Sequence, residues 1–126
     1  PERTVDLVRR AEAGGCRVFL CAAGMAAHLA GVVAAHTTRP VLGIPLPGGV
    51  MDGVDALLST VQMPAGIPVA TFAVGSAGAR NAAFFAAQIV AGERDDVRQA
   101  LEAARRGDHH KIETADAAIQ DELSGG

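Results

Sequence analysis

Three short apolar runs, residues 17–21, 40–45 and 69–74, alternate with helical patterns along this chain, and that alternation does most to narrow the fold. Unbroken apolar runs mark strands covered on both faces, because a half-exposed strand would alternate apolar with polar. Between the runs lie helical patterns and connections of a few residues, so the order reads α-β-α-β-α-β-α. This predicts an α/β fold, a parallel sheet of about three strands with helices on both faces.

The helical segments carry their own signals. Thr4, Leu7, Val8 and Ala11 recur at helical spacing among Arg3, Asp6, Arg9 and Arg10, and Gly14-Gly15 closes that helix. Residues 25–35 read as a second helix. Asp52 and Asp55 open a third, placing acids at its positive end. Gly75-Ser76-Ala77-Gly78 leads into a long Ala-rich helix ending near Gly92. Beyond Glu93 the composition turns charged, with helical patterns over 95–106 and 110–122 divided by Gly107-Asp108. Each carries only a thin apolar stripe, which predicts helices docked on a neighbouring surface or another subunit. The expected division is an α/β domain over 1–92 and a helical extension over 93–126. The chain opens on Pro1 and runs straight into a helix with no strand before it. Both features lead us to expect further sequence upstream, carrying one or more strands.

With 126 residues there is material for one core. Its only aromatics are Phe19, Phe72, Phe84 and Phe85, so Ala, Val, Leu and Ile must fill that core. A net charge of −3 with eleven basic residues gives no case for nucleic acid. The most apolar stretch, 81–91, is too short for a membrane span, and no secretory signal pattern is present. Cys16 and Cys21 flank one strand without zinc spacing or a comfortable bridging geometry. They are expected to be free thiols of a reducing cytosol.

Three loops, 22–29, 46–51 and 75–78, follow the three strands and emerge at one edge of a parallel sheet. Each is rich in Gly or Ala, so backbone amides rather than long side chains would meet a ligand there. That suits a phosphate or carboxylate, although tight turns and close helix packing require the same residues. No loop continues into Gly-Lys-Ser/Thr, and Gly24 to Gly31 lacks the spacing of a dinucleotide fingerprint. His28 is the histidine of these loops and could donate to a carboxylate or move a proton near neutral pH. His36 falls at a helix C-terminus and His109-His110 in the charged tail. Gln62-Met63-Pro64 lies at the far end of a helix from the strand mouths, where an intersubunit role would suit it better. Ser76, Arg80 and Asn81 open the Ala-rich helix, and Arg80 could meet a phosphate or a partner.

Several of these runs together resemble the PurE family. They are Ala23-Gly24-Met25-Ala26-Ala27-His28-Leu29, Pro40-Val41-Leu42-Gly43-Ile44-Pro45, Ser59-Thr60-Val61-Gln62-Met63-Pro64-Ala65-Gly66-Ile67-Pro68-Val69, and Val74-Gly75-Ser76-Ala77-Gly78-Ala79-Arg80-Asn81. The resemblance covers the chain to about Ala91 and implies a flavodoxin-like three-layer sandwich assembled as an octamer. It further implies a carboxyaminoimidazole ribonucleotide mutase of purine biosynthesis, acting in the cytoplasm on a small nucleotide with no metal and no organic cofactor. The carboxylate would leave the exocyclic nitrogen as CO2 and be recaptured by a ring carbon. Ala23, Gly24, Met25, Ala26, Ala27 and Leu29 would line the substrate pocket, with His28 in a supporting catalytic role. The principal acid–base histidine, in a Ser-Ala-His-Arg segment, is expected upstream of Pro1. Two residues depart from the family's pattern: Met25 stands where a glycine is usual, and Ala30 where a proline is. Met25 is expected to narrow the pocket or reorient its loop. The alternatives are the family's carboxylase class, which takes free CO2, a related carboxylase of a pyridine mononucleotide that lacks the Gln-Met-Pro run, and a non-catalytic remnant that only assembles.

Overall fold

A computed structural model of the chain describes residues 2–125. Pro1, and with it the reading drawn from an opening proline, lies outside them. The elements are α1 (Glu2–Ala13), β1 (Phe19–Ala23), α2 (Leu29–Ala34), β2 (Val41–Pro45), α3 (Val54–Val61), β3 (Ala70–Thr71), α4 (Ser76–Ala91) and α5 (Asp95–Ser124). The strands form one parallel sheet in the order β1-β2-β3. Phe19 pairs with Val41 and Ala23 with Pro45, while Leu42 pairs with Ala70.

The central strand explains the layering. All five residues of β2 are buried, as an unbroken apolar run requires. Its side chains alternate between faces. Val41 packs with Val8 of α1, Cys21, and Ala30, Val33 and Ala34 of α2. Leu42 and Ile44 face the other way, onto Ala82 of α4, with Val18, Phe72, Ala86 and Ile89 around them. Helices thus cover both faces, and the fold is the predicted flavodoxin-like α/β sandwich. Close approach depends on missing side chains. A Cβ on Gly43 would stand 2.4 Å from Thr60 Cγ2 and 2.9 Å from Val69 Cγ1, so glycine lets α3 press against the sheet. Thr60 is buried there and donates its hydroxyl to the Ala56 carbonyl (2.8 Å or less is typical of such a bond; here 2.7 Å), leaving its methyl for the contact.

Three expectations about elements are corrected. The second helix is six residues long rather than 25–35, because Met25 takes a left-handed φ of 52° that no helix accommodates. β3 is two residues rather than 69–74. The chain still follows β2 through Phe72 N–H to Gly43 O (2.9 Å) and Gly75 N–H to Pro45 O (2.8 Å), but residues between leave the ladder to pass under α4. Finally, the charged tail is one continuous helix, α5, rather than two helices split at Gly107-Asp108. A lone glycine costs a helix only about 1 kcal/mol. Pairs around it, Glu102 with Arg106, Lys111 with Asp108 and His109 with Glu113, follow the i,i+3 and i,i+4 spacing that supports a helix.

Val97, Ala100, Leu101 and Ala104 of α5 share an apolar recess with Ala83, Phe84 and Ala87 of α4, which anchors its first half. The second half is exposed throughout residues 108–124, including Ile112, Ile119 and Leu123. Arg17 and Glu93 form a two-pronged ion pair that ties the start of β1 to the end of α4. The hydrogen bond with Arg17, and then its charge, hold the Glu93 carboxyl below its ordinary pKa.

Both cysteines are free. Cys16 donates its thiol to the Val18 carbonyl (3.3 Å), and Cys21 is buried under α2. Burial pushes the Cys21 thiol up to about 11, from an ordinary 9.0. An unfolded chain would lose this proton near pH 9 while the folded chain keeps it, so the thiol's contribution to stability falls as pH rises between those values. At pH 8 we expect iodoacetamide to modify Cys16 and leave Cys21 untouched until denaturant is added, a pattern read by mass spectrometry. Equal labelling of both in the folded protein would contradict the burial of Cys21.

No described helix is long and apolar enough to cross a membrane.

Candidate functional site

The three loops after the strands meet at the carboxyl edge of the sheet. Leu46 N–H donates to Ala23 O (2.9 Å), joining the loop after β2 to the end of β1. A Cβ on Gly24 would stand 3.7 Å from Leu46 Cβ, and one on Gly75 would stand 3.7 Å from Pro47 Cδ. Gly53, at φ 95°, is wedged against Val74, Pro47 and Leu46. Small residues at these points are what let the loops touch one another.

Within that junction the residues predicted to line a pocket separate into two sets. Ala23 and Gly24 are half-buried at the end of β1, against Leu46. Met25 and Ala26 form the exposed tip of a turn closed by Ala27 N–H to Gly24 O (3.1 Å). The Ala27 amide is thereby used within the loop. Ala27 itself is buried, and Leu29 is exposed in the first turn of α2. His28 precedes α2 with an exposed side chain that makes no capping hydrogen bond.

His28 stands at the start of α2. It lines a groove of about 460 Å3 together with Gly31, Val32, His36, Ser59, Gln62, Met63 and Pro64. Met63 lines the groove, and its Sδ and Cε lie 3.5 Å from where a Cβ on Gly31 would be. One chain thus brings the Gln62-Met63-Pro64 run and His28 to the border of the same groove. The physical cause is the shortness of α2. Six residues rise about 9 Å, so its two ends both lie within reach of the segment leaving α3.

The departure at Met25 has a structural meaning. Its φ of 52° lies in the region that glycine occupies without strain and other residues do at a cost of about 1 kcal/mol or more. The side chain does not plug the loop; it lies exposed, beside Gly49 of the loop after β2. Asp55 stands beside the same glycine. A Cβ on Gly49 would stand 2.7 Å from Asp55 Oδ2 and 3.3 Å from Met25 Cγ. Asp55 Oδ1 also accepts from Ala56 N–H (3.0 Å). From the residues alone Asp55 had only a role at the helix end; its place beside a loop six residues back needed the fold.

Other candidates fall elsewhere. The Arg80 guanidinium lies 5.9 Å from the centre of the Phe84 ring, on the side facing α5. Asn81 lines a second recess with Phe85, Arg105 and Asp108. Arg80 is exposed and borders the recess between α4 and α5. Ser76 is exposed at the start of α4. His36 donates from Nδ1 to the Val32 carbonyl (2.8 Å) at the end of α2. His109 is exposed beside Glu113, and His110 is exposed on α5. No group of three or more His, Cys, Asp or Glu side chains placed to hold a metal occurs among the described residues.

The family known as AIR carboxylase matches residues 1–111. The chain is 45% identical over 112 residues to the N5-carboxyaminoimidazole ribonucleotide mutase of Haemophilus influenzae, covering 89% of this chain and 68% of that protein. It is 40% identical over 120 residues to the mutase of the same name from Bacillus subtilis, covering 94% and 74%. A bifunctional purine synthesis protein purC/E of Dictyostelium discoideum is 44% identical over 106 residues, which are 84% of this chain and 11% of that protein. The chain spans about two thirds of the length of the curated bacterial mutases it matches. The motifs at 23–29, 40–45, 59–69 and 74–81 and the breadth of these matches agree: the chain belongs to the AIR carboxylase family, the PurE family that its sequence resembles.

Proposed function

We propose that this chain is the catalytic body of a carboxyaminoimidazole ribonucleotide mutase of purine biosynthesis. The observation that carries this reading is that Ala27 and His28 of the first run and Gln62-Met63-Pro64 of the third, both parts of the family resemblance, line one groove of a single chain. In the reaction, the bond between the exocyclic nitrogen and the carboxylate carbon breaks, its electron pair stays on nitrogen, and CO2 is released within the pocket. Nitrogen takes up a proton. The ring carbon then bonds to CO2 and loses its own proton, so the net change moves one carboxylate and one proton in opposite directions. Ala23, Gly24, Met25, Ala26, Ala27 and Leu29 form the wall that retains CO2. These small, uncharged groups offer an intermediate nothing to react with, and a closed site keeps water from carrying it off. His28 supports the proton transfers, its imidazole being the wall's one side chain able to give and take a proton.

We also propose that residues 93–126 serve assembly while 1–92 carry chemistry. The bare apolar stripe of α5 supports a homo-oligomer, with an octamer as the family form. Two free thiols fit a reducing cytoplasm.

The test is conversion of carboxyaminoimidazole ribonucleotide, followed by its ultraviolet change. Isomerisation without added bicarbonate is the expected result. Carboxylation of aminoimidazole ribonucleotide only at high bicarbonate, with no isomerisation, would assign the carboxylase class instead.

A further inference from the structure

Beyond its contact with α4, α5 runs on with every residue from 102 to 125 exposed. The stripe that packs its first half, Val97, Leu101 and Ala104, continues on the same helix face as Ile112, Ala115, Ile119 and Leu123. Ile112 is 70%, Ile119 55% and Leu123 74% exposed. A helix draws most of its stability from packing such a face. The family match ends at residue 111, so these four residues lie beyond it. The charge along α5 selects what can cover them. Residues 105–111 carry Arg105, Arg106 and Lys111 against one acid, Asp108, whereas 113–122 carry Glu113, Asp116, Asp121 and Glu122 and no Lys or Arg. Two such helices side by side in the same direction would set acid against acid. Turned antiparallel, the basic stretch of each lies beside the acidic end of the other. Within one chain these cations are held by exposed pairs such as Lys111 with Asp108 (3.0 Å), which are worth little in water and can exchange.

We propose that the outer half of α5 pairs antiparallel with the same helix of a second copy of this chain, the two crossing between Ile112 and Ile119. Ala115, small and central in the stripe, lets the axes approach there. The pairing takes apolar surface out of water, which drives it, while the charge blocks fix its direction. It deepens, and rests on, the assembly role of residues 93–126, and is independent of the chemistry at the strand mouths.

The test is the distance between spin labels on Ser124→Cys in the full chain, with Cys16→Ser so that buried Cys21 is the one other thiol. Antiparallel helices crossing between Ile112 and Ile119 hold the two labels about 25–30 Å apart, at about 1.5 Å of rise per residue and with axes about 9 Å apart. Parallel helices hold them about 10 Å apart, and that distance overturns the proposal. A chain that assembles with neither distance has its stripe covered by another surface, which overturns the pairing and leaves the assembly role standing. A chain that sediments as a monomer at every concentration overturns both. Ile119→Asp is expected to abolish the longer distance without lowering the melting temperature; a distance that survives shows labels held by some other contact and overturns the pairing. Charge is tested by exchange. Asp121→Lys with Glu122→Lys, and separately Arg105→Glu with Arg106→Glu, are each expected to weaken pairing several-fold, and mixing the two variants is expected to restore it. Two variants that pair as tightly alone as the parent does overturn the role of the charge blocks.

Discussion

Gly78→Ala is expected to lower the stability of this protein by about 3 kcal/mol, the upper end of what overpacking a close contact costs. In most helices the same change stabilises, because alanine loses less backbone entropy on folding than glycine. Here the sign reverses. Gly78 is buried in the first turn of α4, and a Cβ on it would stand 1.6 Å from the Ala73 carbonyl oxygen and 2.6 Å from the Ala73 carbonyl carbon. Neither atom is the end of a flexible side chain, so the helix itself must withdraw. Withdrawal would loosen Ala82, which is fully buried against Leu42 and Ile44 four residues along the same helix. Gly107→Ala is the internal control. No atom lies within 4 Å of its Cβ position, and the change is expected to stabilise α5 by up to about 1 kcal/mol. Thermal unfolding followed by circular dichroism measures both, and we expect Gly78→Ala to melt about 10 °C lower. If both variants shifted in the same direction, the close packing of α4 on the loop before it would be refuted.

The second large effect concerns His28. His28→Asn is expected to reduce mutase turnover on the order of 100-fold, the lower range for loss of a proton-transferring group, while leaving the melting temperature unchanged. The structural half of this expectation follows from the exposed side chain and the absence of a capping hydrogen bond, since nothing in the fold leans on the ring. The catalytic half distinguishes a proton carrier from a spacer. Asparagine keeps the shape and one donor but cannot carry a proton to and from the substrate. A full rate in the variant would return His28 to the status of a surface residue.

Much of this was legible in the residues. The unbroken run Val41-Leu42-Gly43-Ile44-Pro45 announced a strand covered on both faces, and all five residues are buried. The amphipathic pattern from Thr4 to Ala11 announced α1, and Val8 is the residue it buries. The errors have separate local causes. Pattern reading registers which side chains want burial, but a single backbone angle is invisible to it. Met25 has good helix propensity, yet its left-handed φ ends the helix before it begins. Gly107 invited a break that the surrounding ion pairs did not require.

The sequence by itself determined the parallel sheet, the helices on both of its faces, the family, and the loops at which chemistry would be sought. Those follow from local periodicity and from the chemical identity of neighbouring residues, both of which are written along the chain. Only the tertiary structure decided that His28 shares a groove with Gln62 and Met63, that Asp55 and Met25 both stand beside Gly49, and that Arg80 lies over Phe84. Each of these depends on how far one element rises and on which small residue lets the next approach. Those distances are set by packing between elements, and no run of neighbouring residues contains them.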